Sequence, residues 1–368
     1  MREWMAEVIA RKEVMALPVM THPGIEQNGH TVQQAVSDGC IHAEAVLAVA
    51  RRYPTVAATT IMDLTVEAEA FGAEVVFRDE AVPAVNGRLL TSVEDIERLQ
   101  VPSLRAGRVP EYLKANLLAV KWIDTNPTPN PSPARGGERL RIAPTRGGER
   151  LRIAPTRGGE SARPVFGGCI GPFSLAGRLY DMSEIMVLIY EQPTAAHKLL
   201  EKCTAFIEKY CLALRETGVG GVLMAEPAAG LLSNDDCLAF SSQYVRRIVE
   251  TVQDDQFLVV LHNCGNTGHC TEAMVATGAA AYHFGNKCRM EEVLPKVPST
   301  TLVMGNLDPV SLFKDGTPAM MRQATFDLLE RTARYPNFVL SSGCDTPPHT
   351  PAANIDAFFE ALHQFNAI

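Results

Sequence analysis

The sequence predicts an α/β protein built as a closed (β/α)8 TIM barrel in a single domain. Short apolar runs alternate with longer helical patterns along most of the 368 residues, the order expected of repeated β/α units. Polar residues gather just past the C-terminal ends of those runs, which in a barrel all face the rim that carries active sites. No Gly-x-Gly-x-x-Gly fingerprint follows any run, which argues against an open doubly wound sheet.

The elements follow in chain order. A helical pattern over 30–52 precedes the first strand run, 56–62, which ends on Asp63. Helical stretches follow at 65–71 and 93–99. The run 165–169 leads into Gly171-Pro172-Phe173-Ser174, and 184–216 reads as one long helix. The run 221–225 ends on Glu226-Pro227, where proline blocks a regular helix start. Asp235 and Asp236 open the helix 235–253, where a first-turn carboxylate suits the helix dipole. The apolar run 257–261 ends in His262-Asn263-Cys264, and a helix covers 268–277. The run 280–284 carries His283 and leads to Asn286. Residues 301–304 lead to Gly305-Asn306-Leu307-Asp308. Pro318 sits at the first turn of a helix over 320–334. The last run, 338–340, leads to Ser341-Ser342-Gly343-Cys344-Asp345, and a helix over 352–365 closes the chain. Six polar strand ends in succession point to an enzyme.

Composition sets the class. With 46% hydrophobic and 21% charged residues, the chain has enough apolar content for a full core. No apolar run reaches the roughly 18 residues a membrane helix needs. The start, Met1 to Glu7, lacks the charged-then-apolar order of a signal peptide, so a cytoplasmic protein is expected. Nine scattered cysteines then read as buried thiols and ligands rather than a disulfide framework. A net charge of −8 argues against nucleic acid, whose binding needs a basic face.

Residues 125–164 break the pattern. Arg135 to Thr145 recurs unchanged as Arg146 to Thr156, and a third copy begins at Arg157. Eight arginines against three glutamates give this segment +5 and leave −13 for the rest. Such a stretch cannot bury a core and is expected to be a disordered, flexible surface insertion. The barrel domain would then comprise 1–124 and 165–368. Long insertions are thermodynamically mild because closure entropy grows slowly with length.

His262 and Cys264 are two apart at a strand end, so both side chains point to one side. With Cys344 past another strand they form a candidate metal set that leaves one position open, as in catalytic zinc sites. His269, Cys270 and Cys288 are competing donors. Glu226 is a candidate fourth ligand or catalytic group. Asp308 and Asp345 either orient a ligand or cap the following helix. Asp63 either caps its helix or lines the substrate pocket, to which Phe173, His283 and Asn306 are also assigned by their rim positions.

Four stretches resemble the uroporphyrinogen decarboxylase superfamily: Gly171-Pro172-Phe173-Ser174-Leu175-Ala176, His262-Asn263-Cys264-Gly265, Met304-Gly305-Asn306-Leu307-Asp308-Pro309, and Ser342-Gly343-Cys344-Asp345 with Pro347. The arginine-rich N-terminal motif of the true decarboxylases is missing, and Pro18-Val19-Met20-Thr21-His22-Pro23 stands in its place. The resemblance therefore implies the branch of cobalamin-dependent methyltransferases, of the methylcobamide:coenzyme M kind. It implies His262, Cys264 and Cys344 as Zn2+ ligands, a thiol substrate, and a corrinoid (cobalamin) arriving on a partner protein. Two other readings remain: a tetrapyrrole carboxy-lyase using Asp63 as the anchor for pyrrole N–H groups, and a non-catalytic barrel that binds a corrinoid or tetrapyrrole. A homodimer is compatible with the sequence.

Overall fold

The computed structural model describes residues 1–125, 163–265 and 267–368. Of the 125–164 insertion, only Thr125, Arg163 and Pro164 lie among the described residues.

Eight strands form the sheet: β1 (Met15–Ala16), β2 (Ala58–Thr59), β3 (Val165–Ile170), β4 (Gly221–Ala225), β5 (Leu258–Asn263), β6 (Ala281–Phe284), β7 (Leu302–Leu307) and β8 (Phe338–Ser342). All pairings are parallel, in the order β1-β8-β7-β6-β5-β4-β3-β2. The two ends of that order, β1 and β2, meet through one backbone hydrogen bond from Val56 N–H to Ala16 O at 2.9 Å. This is the predicted barrel, with all strand C-termini on one rim. Helices follow the strands and pack against the outer face, as parallel sheets require.

The barrel interior is filled by Leu17, Phe166, Leu223, Leu258, Val260, Leu302, Met304 and Val339. Met5 and Val8 of the N-terminal helix Arg2–Ala10 belong to the same cluster. That helix is tied down by the Met1 ammonium, which donates to Asp255 O at 2.6 Å. Leu, Val and Ile occupy both faces of the central strands, so each strand reads as a continuous apolar run rather than an alternation.

Several elements differ from the sequence reading, each for a local reason. β1 was not expected: two residues carry no periodicity, and Pro18 removes a ladder donor just beyond it. The helix Val109–Thr125 and the antiparallel hairpin Val75–Arg78/Ala81–Val85 were also missed. The expected helix over 184–216 is two, Met182–Glu191 and Pro193–Glu216, because Pro193 cannot continue a helix but suits a first turn. The helix over 30–52 likewise divides into Val32–Ser37 and Gly39–Arg52, with Asp38 accepting from Cys40 N–H. Pro318 does stand at a helix start, and Asp235 and Asp236 lie in a first turn capped by Ser233.

One buried carboxyl group makes stability depend on pH. Glu67 Oε1 accepts from Ile170 N–H at 3.0 Å, and Oε2 is buried without a partner among the described residues. Burial raises its pKa from 4.5 to about 7. The folded state thus holds the proton more tightly than the unfolded chain. Its contribution is present below pH 4.5 and lost as pH rises through about 7. The loss is about 3 kcal/mol, from ~1.4 kcal/mol per pKa unit. Glu67→Gln is expected to remove this decline. Urea midpoints measured across that window check it, and a variant that tracks the parent at every pH would refute the assignment.

Candidate metal centre

β5 is buried along its whole length and delivers His262 at its end with Cys264 just beyond. β8 delivers Cys344 two residues past its last position. These strands are separated by β6 and β7, so the residues meet across the barrel mouth rather than along one edge. One donor atom from each of His262, Cys264 and Cys344 lies within 4.8 Å of the others. Among the described residues this is the one such convergence of histidine, cysteine and carboxylate groups. Cys270 and Cys288 are buried elsewhere, bonding to Leu232 O and Thr267 Oγ1.

The loop bearing Cys264 is held by Asn263, whose Nδ2 donates to Glu226 O at 2.8 Å and whose Oδ1 accepts from Gly265 N–H at 3.0 Å. Gly285 lies directly against this loop. A Cβ there would sit 2.3 Å from Cys264 O, so any side chain would displace the cysteine backbone.

The Cys264 and Cys344 sulfurs lie close together, and the neighbouring Cys344 thiol holds the Cys264 pKa below the usual thiol value while the same pairing raises that of Cys344. A thiolate is the form a metal binds. His262 Nε2 is buried and has no hydrogen-bond partner among the described residues. Such an orphan costs free energy unless something meets it. One imidazole nitrogen and two sulfurs fit zinc, whose catalytic sites use three protein ligands and an open fourth position.

Other residues assigned from the sequence fall elsewhere. Glu226 does not join the metal set. Its Oε1 accepts from Phe173 N–H at 2.8 Å and Ser241 Oγ at 3.0 Å, and its Oε2 from Ser174 N–H at 2.9 Å. It therefore caps the helix Pro172–Tyr180 from outside, because Gly171 has no side chain to do so. A Cβ on Gly171 would lie 2.4 Å from that carboxylate. Burial raises the Glu226 pKa, against these bonds. Phe173 is a core residue.

Asp63 is also used internally. Oδ1 accepts from Thr65 N–H and Oγ1–H at 2.9 and 2.7 Å. Oδ2 accepts from Arg108 Nη1 at 2.5 Å and Tyr112 OH at 3.1 Å. A carboxylate offers about four lone-pair positions, and these four bonds fill them. Of the two alternatives for Asp63, these bonds support the structural one. Asp308 caps the turn Pro309–Lys314 through Val310 and Ser311 N–H and accepts from Asn286 Nδ2 at 2.6 Å. Asn306 donates to Gly285 O and Cys288 O, supporting the same mouth. His283 lies within hydrogen-bond distance of His262.

Asp345 remains at the mouth, with Oδ1 buried and unpaired among the described residues and Oδ2 3.6 Å from His22 Nδ1. His22 had no spacing signal in the sequence. Arg108 and Tyr112, on or beside a helix that was missed, were equally invisible, and Ser341 read only as strand end.

A parallel barrel with soft ligands converging on its C-terminal rim defines a barrel enzyme. The chain belongs to the uroporphyrinogen decarboxylase (URO-D) family, whose sequence profile matches residues 2–127 and 153–365. The methylcobamide:CoM methyltransferase MtbA of Methanosarcina acetivorans is 26% identical over 316 residues, 82% of this chain and 78% of its own. The uroporphyrinogen decarboxylase of a Synechococcus species is 30% identical over 207 residues, 54% of this chain and 57% of its own. The solved structure of a methyltransferase from Methanosarcina mazei shares the fold, with a TM-score of 0.80 at 20% identity over 99% of this chain and 98% of that one. No helix among the described residues is long and apolar enough to cross a membrane.

Proposed function

We propose that this protein is a zinc-dependent methyltransferase that moves a methyl group between a corrinoid carried by a partner protein and a small thiol. The carrying observation is the convergence of His262, Cys264 and Cys344 with an unpaired buried Nε2. Resemblance to a methylcobamide:CoM methyltransferase over most of both chains supports the substrate classes.

His262, Cys264 and Cys344 would hold the zinc, and a zinc ion in that place supplies the charge that keeps a thiol deprotonated near neutral pH. The protein's own part is to position and to exclude water. Asn263 and Gly285 set the loop that carries Cys264, and His283 steadies His262. With a methyl-corrinoid presented by the partner protein, the substrate sulfur would take the methyl group, the electron pair of the carbon–cobalt bond would remain with the corrinoid, and the thiol's proton would leave to solvent.

Tetrapyrrole decarboxylation is the second reading, favoured by the decarboxylase relatives. Against it, Asp63 has no lone pair left for pyrrole N–H groups. A non-catalytic corrinoid-binding barrel is the third.

Purified protein should carry about one zinc per chain and methylate a small thiol with methylcobalamin as donor. Thioether formation and zinc content are the measurements. Metal-free protein that consumes uroporphyrinogen would establish the second reading instead, and metal-bound protein that turns over neither would establish the third.

A further inference from the structure

We propose that His283 and Ser341 are positioning residues that fix the tautomer of His262, so that a metal ion meets the bare lone pair of Nε2. This inference rests on the metal-centre reading above.

Counting hydrogens along the contacts carries the argument. Ser341 Oγ lies 2.7 Å from Leu17 O, which can only accept, so the single hydroxyl hydrogen points there. His283 Nε2 lies 2.8 Å from the same Oγ and must therefore donate to it. The other ring nitrogen of His283, Nδ1, lies 2.7 Å from His262 Nδ1. One hydrogen fits between them.

A second contact says whose hydrogen it is. His283 O lies 3.3 Å from His262 Nδ1, and a carbonyl oxygen can only accept. His262 Nδ1 is thus a donor twice over. That leaves Nε2, which has no hydrogen-bond partner among the described residues, as the nitrogen a metal can take.

The relay is built by the barrel. His262 and His283 are register partners on β5 and β6. Ser341 lies on β8, and Leu17 follows β1, to which β8 is paired. Four strands therefore hold one proton arrangement, and none of its members except His262 belongs to the converging donor set. The next histidine along the chain, His269, has no such relay; its Nε2 bonds to Leu232 O at 2.9 Å.

Nitrogen-15 spectra of metal-free, histidine-labelled protein test this directly. The His262 ring should show a protonated Nδ1, and a His262 ring that carries its hydrogen on Nε2 alone overturns the proposal. Zinc affinity, read by competition with a chromophoric chelator, is the second measurement. His283→Leu and Ser341→Ala should weaken zinc binding by roughly 10–100-fold, as loss of such ligand-orienting partners does. His283→Asn, whose carbonyl can still accept from Nδ1–H, should keep more affinity than His283→Leu. Equal affinity of parent and His283→Leu overturns the proposal. Should His283→Leu fail to fold, the parent spectra and Ser341→Ala still decide. A parent that binds no zinc but shows the stated tautomer would sink the metal-centre reading and leave the relay standing.

Discussion

Cys264→Ser and Cys344→Ser should each purify almost free of zinc and lose thiol methylation, while keeping the fold of the parent. The two sulfurs come from strands on different sides of the mouth, so loss of either leaves two donors, too few for the three-ligand catalytic arrangement. Serine is close in size to cysteine, but its hydroxyl does not ionise near neutral pH and is a poor zinc ligand beside a thiolate. The expected loss of zinc affinity is at least on the order of the 100-fold upper end seen for orienting partners, because a ligand is removed outright. Metal analysis, circular dichroism and the methylation assay together check it. A Cys344→Ser protein with full zinc and full turnover would remove Cys344 from the site and reopen Cys270 and Cys288 as candidates.

Arg108→Ala is expected to cost about 3–5 kcal/mol of folding stability, the usual result of leaving a buried charge without its partner. Arg108 holds Asp63 at 2.5 Å and Glu69 at 2.7 Å, donates to Val36 O and Thr65 Oγ1, and lies 4.8 Å over the Phe77 ring. Asp63 is 6% exposed, so water cannot replace the lost guanidinium. Arg108→Lys should not restore the loss, since an ammonium lacks the planar fork that reaches both carboxylates. Chemical denaturation gives the number, and a midpoint equal to the parent's would show the pair to be ornamental. A selective rise in KM with unchanged stability in Asp63→Asn would instead return Asp63 to the substrate pocket.

These two experiments probe residues that were legible to very different degrees. His262 and Cys264 were legible together, because a strand end followed by soft ligands is a local pattern that survives in one dimension, whereas Cys344 was preferred over Cys270 and Cys288 through the family resemblance. The barrel was legible for the same reason: strands buried on both faces read as apolar runs, and their polar tips mark one rim. β1 was harder, since two residues cannot show a period, whereas β2 lies within the expected run 56–62. Glu226 and Asp63 stayed open between two roles because a carboxylate at a strand end looks alike whether it faces a substrate or a neighbouring helix. Which of these holds depends on where Gly171 and Arg108 fall, and neither lies near its carboxylate in sequence.

The His-x-Cys spacing, the apolar runs, the missing arginine motif and the repeat over 125–164 were determined by the order of residues, because each is a local property of the chain. The convergence of Cys344 on His262 and Cys264, the orphaned Nε2 and the relay through His283 and Ser341 to Leu17 were decided by tertiary structure. Each joins atoms from strands that only barrel closure brings together, and hydrogen-bond direction depends on distances no sequence spacing encodes.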